Sequence, residues 1–442
     1  MAVWNEGVVT QRTAASMTDR VPDASLPALA ASVDESRQWA RLMGMATLGA
    51  IPEDGVNRAA LTELDRQARR LLIEWAQEAG LTVSIDDMAN LFLRHEGTDP
   101  AAEPVLTGSH MDSQPNGGRF DGIWGVVAGL EAVQAIREAG LTTRRPIEIV
   151  AWTNEEGGRF APGCMGSMAW SGHSAPNTWD AVTDLNGITF RAALDEQLAL
   201  EADLPRRPLG PVGPQRPVAY VEAHIEQGPR LENDLLDIGV VTGIQGSRWF
   251  VVDIKGRSDH AGTSPVSLRQ DAVQDMVRAI NALNTLTHDP SDVLRFTVGR
   301  IEVHPNTSNS VADHVRFTID LRHPEADILR EKGDAIAATV QSALQHCTAT
   351  VTERFNALPT AFPALVPDAV EQAAHALGLR PLRMPSGAFH DAQFMVPVCP
   401  TGMIFVPSKG GISHHPSEYT SPGQLAAGTR VLAATLLELA NR

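Results

Sequence analysis

Residues 107–122 read TGSHMDSQPNGGRFDG. His110, Asp112 and Asp121 fall within this stretch, among small residues and just after the apolar pair Val105-Leu106. Imidazole and carboxylate are the usual ligands of a catalytic transition metal. Glycine lets a backbone crowd against such a centre. Further groups of the same kind recur downstream: Glu155-Glu156 in WTNEEGGRF, His224 in EAHIEQGP, His390-Asp391 in SGAFHD and His414-His415 in GISHHP. Each has an ordinary reading when taken alone. A lone histidine is usually packed or on the surface, adjacent acids are usually solvated, and Asp112 with Asp121 can be turn chemistry. Their joint occurrence is what points to a metal site. All but His224 follow an apolar strand-like run or a Gly/Ser turn, and His224 follows the short run 219–223. An open α/β sheet gathers its ligands outside the carboxyl ends of its strands.

The elements that must position these groups are read from periodicity. Over residues 57–79, Leu61, Leu64, Ala68, Leu71, Leu72 and Trp75 recur at helical spacing, and Gly80 closes the helix. Strand-like runs follow at 81–85, 91–94 and 105–107, then a helix over 125–139 closed by Gly140. Residues 147–152 are nearly all apolar, the pattern of a strand buried on both faces. Strands alternating with helices predict an α/β layer fold.

The middle changes character. Strands at 249–254, 295–303, 315–321 and 349–354, with helices at 267–286 and 327–344, give the order βαββαβ of a ferredoxin-like α+β domain. Val315, Phe317, Ile319 and Leu321 alternate there with Arg316, Thr318 and Asp320. A helix at 368–377, a buried strand at 402–406 and a last helix opened by Ser421-Pro422 return to the first pattern. The expected organisation is a discontinuous metal-binding α/β domain over 31–244 and 357–442. A smaller domain is inserted at 245–356, and a loosely held extension covers 1–30.

Composition bounds the function. A chain of 442 residues is long for one core, so two domains are expected. The net charge of -17, from 36 basic and 53 acidic residues, argues against a nucleic-acid partner. Cys164, Cys347 and Cys399 are odd in number and lack metal-ligand spacing, which fits a reducing compartment. No apolar run reaches the length of a membrane span, so no membrane partner is expected. The first residues lack a basic region followed by an apolar run, so a cytoplasmic location is expected.

The segments GSHMDSQPNGGRFDG, WTNEEGGRFAP, HIEQGP, SDHAGTSP, SGAFHDA and GMIFVPSKGGISHHP together give the chain a family likeness. It resembles the amidase, hydantoinase and N-carbamoyl-L-amino-acid hydrolase family. That family includes β-ureidopropionase and allantoate amidohydrolase and lies within the dinuclear aminopeptidase-like metallohydrolases. The likeness covers about residues 35–440. It implies an aminopeptidase-like α/β domain with an inserted ferredoxin-like lid or dimerisation domain, and a homodimer. It also implies two divalent ions per subunit, zinc first, with manganese, cobalt and nickel compatible with the same ligands.

Motif by motif, the likeness implies His110, Asp121, Glu156, His224 and His414 as ligands. Asp121 would serve both ions, His110 and His224 one, Glu156 and His414 the other. A shared carboxylate holds two cations roughly 3.5–4 Å apart. Asp112 resembles the partner that orients His110, and Glu155 the general base. The register of the last motif puts the ligand on His414, with His415 where a small polar residue is usual.

Gln227, His260, Asn309, Arg322 and His390 match substrate-binding positions. Arg322 and Asn309 suit a substrate carboxylate, although pattern alone does not separate Arg322 from a solvated strand charge such as Arg316. His260 is similar to the histidine that polarises the scissile carbonyl, from a partner subunit or after domain closure. Gly387 is either a backbone donor to the substrate or a turn residue.

The implied reaction cleaves the carbamoyl (ureido) C–N bond of an N-carbamoyl-L-amino acid or N-carbamoyl-β-alanine to the amino acid, ammonia and carbon dioxide. Allantoate or ureidoglycolate hydrolysis uses the same chemistry. A di- or aminopeptidase fits less well, because peptidase relatives often carry a carboxylate where this chain has His224. A non-catalytic binding protein would lack a ligand or Glu155, and neither is missing.

Overall fold

The computed structural model describes residues 25–442. Its largest element is a nine-stranded mixed sheet. At its centre Thr401–Val406, Ala219–Ile225, Val105–His110 and Ile147–Trp152 lie side by side in that order, all parallel. Every residue of these strands is buried. Burial on both faces explains why they read as continuous apolar runs rather than alternating ones. Leu91–His95 and Thr82–Ile85 extend one side antiparallel. Ile238–Ile244 extends the other and carries Thr360–Ala361 and Pro381–Ser386.

From Val105–His110 the chain crosses through the helix Ile123–Glu138 to Ile147–Trp152 on one side. Ala219–Ile225 later takes the opposite side. This reversal opens a crevice beyond the carboxyl ends of the parallel strands. Ile123–Glu138 packs with the helix Pro422–Asn441 over one face of the sheet, where Val126, Val133, Ile149, Val221 and Val431 share an apolar cluster. An added Cβ on Gly125 would stand 2.2 Å from the Ala223 carbonyl oxygen, so only glycine lets the helix approach this closely. The other face is aromatic: Trp152 stands edge-on to Trp170 at 5.5 Å and to Tyr220 at 6.4 Å. No helix among the described residues is long and apolar enough to cross a membrane.

A second sheet has four antiparallel strands in the order Arg295–His304, His314–His323, Gly246–Lys255, Thr348–Ala357. Val315, Phe317, Ile319 and Leu321 all point into its core, with the helices Ala272–Leu286 and Ala326–Ala343 packed over them. The helix expected from residue 267 begins at Ala272 instead. Asp271 caps it, its side chain accepting from the N–H groups of Val273 and Gln274. The helix expected from residue 57 likewise begins at Glu63. Thr62 is its N-cap and Leu61 is held at φ 56°. The extension expected over residues 1–30 lies outside the described residues as far as residue 24. From Leu26 the chain is helical to Ser32, with Leu29 buried.

Asp275 ties the second unit together. Its buried carboxylate accepts from the N–H groups of Gln345, His346 and Cys347 at 2.9–3.1 Å and pairs with Arg278. Burial opposes its ionisation, yet these N–H donors outweigh burial and hold the carboxyl at about 2. A carboxyl held below its unfolded value of about 3.9 stabilises the fold above that pH, and the contribution fades as pH falls toward the folded value. Asp275→Asn is expected to lower unfolding free energy at neutral pH by about 1–2 kcal/mol. Urea unfolding checks it. The gap to wild type should be smaller at about pH 3 than at about pH 7, and a pH-independent gap contradicts the assignment.

Candidate metal centre

His110 ends one central strand and His224 lies near the end of its parallel neighbour. Both residues are 1% exposed. Nδ1 of His110 is 2.9 Å from the Asp112 carbonyl oxygen, and Nδ1 of His224 is 2.9 Å from that of Ile225. A carbonyl only accepts, so each Nδ1 carries a proton and each Nε2 faces inward, where it can offer a lone pair to a cation. Gly122, at φ 64°, makes room: an added Cβ would stand 2.2 Å from the His110 ring.

Asp121 faces two ways. Its Oδ1 is 3.0 Å from His224 Nε2 and 3.8 Å from His110 Nε2. Its Oδ2 is 3.2 Å from His414 Nε2, which is also 3.4 Å from Glu156 Oε2. Ligand atoms of His110, Asp121 and His224 lie within 4.8 Å of one another, as do those of Asp121, Glu156 and His414. Glu222, His224 and His390 are similarly close. There, however, Glu222 already accepts from Ser109, Tyr220 and Ala392, and His390 Nε2 is 2.9 Å from Ser386 Oγ. Two members of this third group are therefore already engaged within the protein.

Glu156 is anchored by Gln114, which donates from its backbone N–H to Oε1 and from Nε2 to Oε2 at 2.9 Å. Glu155 Oε2 stands 3.4 Å from His110 Nε2. Burial, then the charges of Asp391 and Glu156, push the Glu155 carboxyl well above the ordinary range. The Asp112 carboxylate accepts the backbone N–H groups of both Glu155 and Glu156 at 3.2 Å and is 3.7 Å from His110 Nδ1. Asp112 therefore contacts His110 chiefly through its carbonyl, while its carboxylate sets the Glu155-Glu156 turn.

The substrate-binding candidates divide. Gln227 Nε2 donates to Asp121 Oδ2 at 2.9 Å. The His390 ring stands edge-on to that of His224 at 4.5 Å. Arg322 pairs with Asp320 at 2.8 Å and donates to the Gly387 carbonyl at 3.0 Å. It thereby joins the second sheet to the turn before His390, whereas Arg316 pairs with Asp253. Gly387 presents its carbonyl to Arg322 and Gln245. His260 and Asn309 are exposed on adjoining loops of the second unit, linked by the Ala261 N–H to the Asn309 carbonyl. Their hydrogen bonds stay within that unit. His260 Nδ1 accepts from the N–H groups of Gly262 and Thr263, so its proton sits on Nε2 and faces outward as a donor.

A model of peptidase family M20/M25/M40 matches residues 106–438. The chain belongs to this family. The M20 chain is 40% identical to an N-carbamoyl-L-amino acid amidohydrolase of Geobacillus stearothermophilus, over 92% of this chain and 99% of the relative. It is 33% identical to an allantoate amidohydrolase of Bacillus subtilis, over 92% and 97%. An amidase of the hydantoinase/carbamoylase family from Burkholderia multivorans superposes with a TM-score of 0.86 at 40% identity, covering 92% and 98%. Aminopeptidase PepT of Bacillus cereus, at 17% identity and TM-score 0.62, shares the fold.

The donor set of the M20 chain fits divalent cations. His224 Nε2 is buried and makes no hydrogen bond, although Asp121 Oδ1 is near. Against the cost of burial, Asp121 pulls His224 up to about 9, and its hydrogen bond does the same for His414. Asp121 thus calls for positive charge on both its sides, and a cation supplies that charge with the imidazoles neutral.

His415 turns away: its Nδ1 is 2.8 Å from Ser417 Oγ. His414→Ala is expected to cost one bound ion per chain, and His415→Ala none. Metal content after dialysis checks this, and the reverse pattern would overturn the register. Sequence reasoning missed Gln114, Ser413 and Glu418. None follows an apolar run, and the only local signal was nearness to a ligand.

Proposed function

We propose that this M20 chain is an amidohydrolase cleaving the carbamoyl C–N bond of N-carbamoyl-L-amino acids. The observation that carries a two-ion site is Asp121, with one oxygen toward His110 and His224 and the other toward His414 and Glu156. The substrate class rests on likeness to N-carbamoyl-L-amino acid amidohydrolases at 35–40% identity. Zinc is the first candidate metal, with manganese, cobalt or nickel acceptable to the same donors.

When bound, the ions supply an acidified water and a polarised ureido carbonyl. The chain's own groups do the rest. Glu155 takes the proton from the attacking water and passes it to the leaving nitrogen, and its raised proton affinity suits both transfers. The C–N bond breaks to give the free amino acid and carbamate, which decomposes to ammonia and carbon dioxide. Arg322 and Asn309 hold the substrate carboxylate, with Gln227, His390 and Gly387 lining the approach. His260 brings its Nε2–H donor to the developing oxyanion. Its exposed place on the second unit calls for closure of residues 245–356 over the crevice, or for a partner copy in a homodimer.

Ammonia release from N-carbamoyl-L-amino acids, N-carbamoyl-β-alanine and allantoate, beside amino-acid release from a dipeptide, tests the reading. The N-carbamoyl-L-amino acids should give the highest kcat/KM. Preference for allantoate would move the chain to the alternative amidohydrolase class, and preference for the dipeptide would overturn the reaction type.

A further inference from the structure

Glu418 is 1% exposed and lies on the loop that carries His414, just before the last helix. Its Oε1 accepts the backbone N–H groups of Phe120 and Asp121 at 3.0 and 3.1 Å. Its Oε2 is 2.9 Å from Ser413 Oγ, which is itself 3.1 Å from Asp121 Oδ2. The Asp121 loop is wrapped tightly on this carboxylate: an added Cβ on Gly118 would stand 2.2 Å from Glu418 Oε1. Glu418 also closes its own turn, donating from its backbone N–H to the His415 carbonyl at 3.0 Å.

One buried carboxylate is therefore the joint between two loops distant in sequence. One delivers Asp121; the other delivers Ser413 and His414. The two halves of the centre depend on this joint unequally. His110 and His224 are set by buried strands and by carbonyl partners on Nδ1. His414 sits on a loop at φ 54°, with its side chain 49% exposed. We propose that Glu418 is a positioning residue for the Asp121–Glu156–His414 half of the centre, and that its removal loosens that half selectively. This rests on the two-ion reading above.

The test is a graded chelator dialysis of the zinc-loaded full chain, reading zinc per chain. Wild type should hold two ions. Fewer than two in wild type sinks the two-ion reading and this inference with it, before any variant is compared. Glu418→Ala should keep one ion at the wild-type chelator concentration. It should release the other at concentrations about 10- to 100-fold lower. Glu418→Gln should lie closer to wild type, because its amide oxygen still accepts from Phe120 and Asp121. Retention of both ions as in wild type by Glu418→Ala, or loss of both in step, overturns the proposal. If Glu418→Ala does not fold by circular dichroism, Ser413→Ala cuts the same joint on one side only. It should release one ion early, and retention of both overturns the proposal equally.

Discussion

Alanine in place of Glu155 is expected to leave the metal content of the protein unchanged and to lower kcat/KM by about 10²–10⁴-fold. The Glu155 side chain belongs to neither of the two groups that share Asp121. Its main chain is fixed independently, by the N–H bond to the Asp112 carboxylate, and alanine keeps that bond. What disappears is a buried carboxyl whose Oε2 is 3.4 Å from His110 Nε2. Its surroundings are burial and the charges of Asp391, Glu156, Asp112 and Asp121, all of which raise its proton affinity. A solvated glutamate gives up its proton too readily to protonate a leaving nitrogen near neutral pH, and this environment corrects that mismatch. Glu155→Gln should behave like the alanine variant, because an amide cannot take the proton. Steady-state kinetics beside metal analysis decides the matter: activity within about tenfold of wild type removes Glu155 from the role.

The parts of the fold that the sequence reveals are those where one physical demand acts alone. Ile147–Trp152 is read to the residue because burial on both faces leaves an uninterrupted apolar run. The apolar pattern of the neighbouring strand ends at residue 107, yet the strand continues through Gly108, Ser109 and His110. These residues are not apolar, but they are buried all the same, and Ser109 satisfies its hydroxyl on Glu222. Ile238–Ile244 leaves no clear strand pattern because its two glycines break the run, although it joins three other strands.

The same division runs through the candidate centre. The residue types and spacing mark His110, Asp121 and Glu155-Glu156 as chemically capable. The division of the ligand set into two groups came from family likeness, and the distances around Asp121 agree with such a grouping. Glu418 reaches Phe120 and Asp121 across 298 and 297 residues of chain, and Gln114 reaches Glu156 from another loop. Contacts of that kind leave no periodic trace. Asp112 is the instructive case. Nearness in sequence placed it beside His110, but only the fold shows that its carboxylate serves the Glu155-Glu156 turn.

Asparagine in place of Asp121 should do the most damage, because both halves of the centre use this one side chain. The substitution keeps the shape of the residue, so packing around Phe120 and Gly122 is not disturbed. It removes the charge and replaces one oxygen with an NH₂ donor. An amide can offer its oxygen to the His110–His224 side or to the His414–Glu156 side, but not to both. One side is left without an oxygen and the other with only a neutral one, so affinity for both ions is expected to fall, whereas His414→Ala loses only one, and kcat/KM should fall at least as far as in Glu155→Ala. Thermal unfolding gives a second readout that does not depend on turnover. A cation bound only by the folded chain stabilises it by about 2.7 kcal/mol when present at about 100 times its Kd. Wild type should therefore show a rise in Tm on adding zinc or manganese, and Asp121→Asn none. Without metal the variant is also expected to be the less stable of the two. Asp121 repels Glu155 and Glu156, but against burial and that repulsion the His224 and His414 imidazoles hold its carboxyl well below the ordinary range, so the metal-free fold gains from the charge that asparagine removes. A metal-dependent rise in Tm in Asp121→Asn equal to that of wild type would show that the two halves do not share this carboxylate.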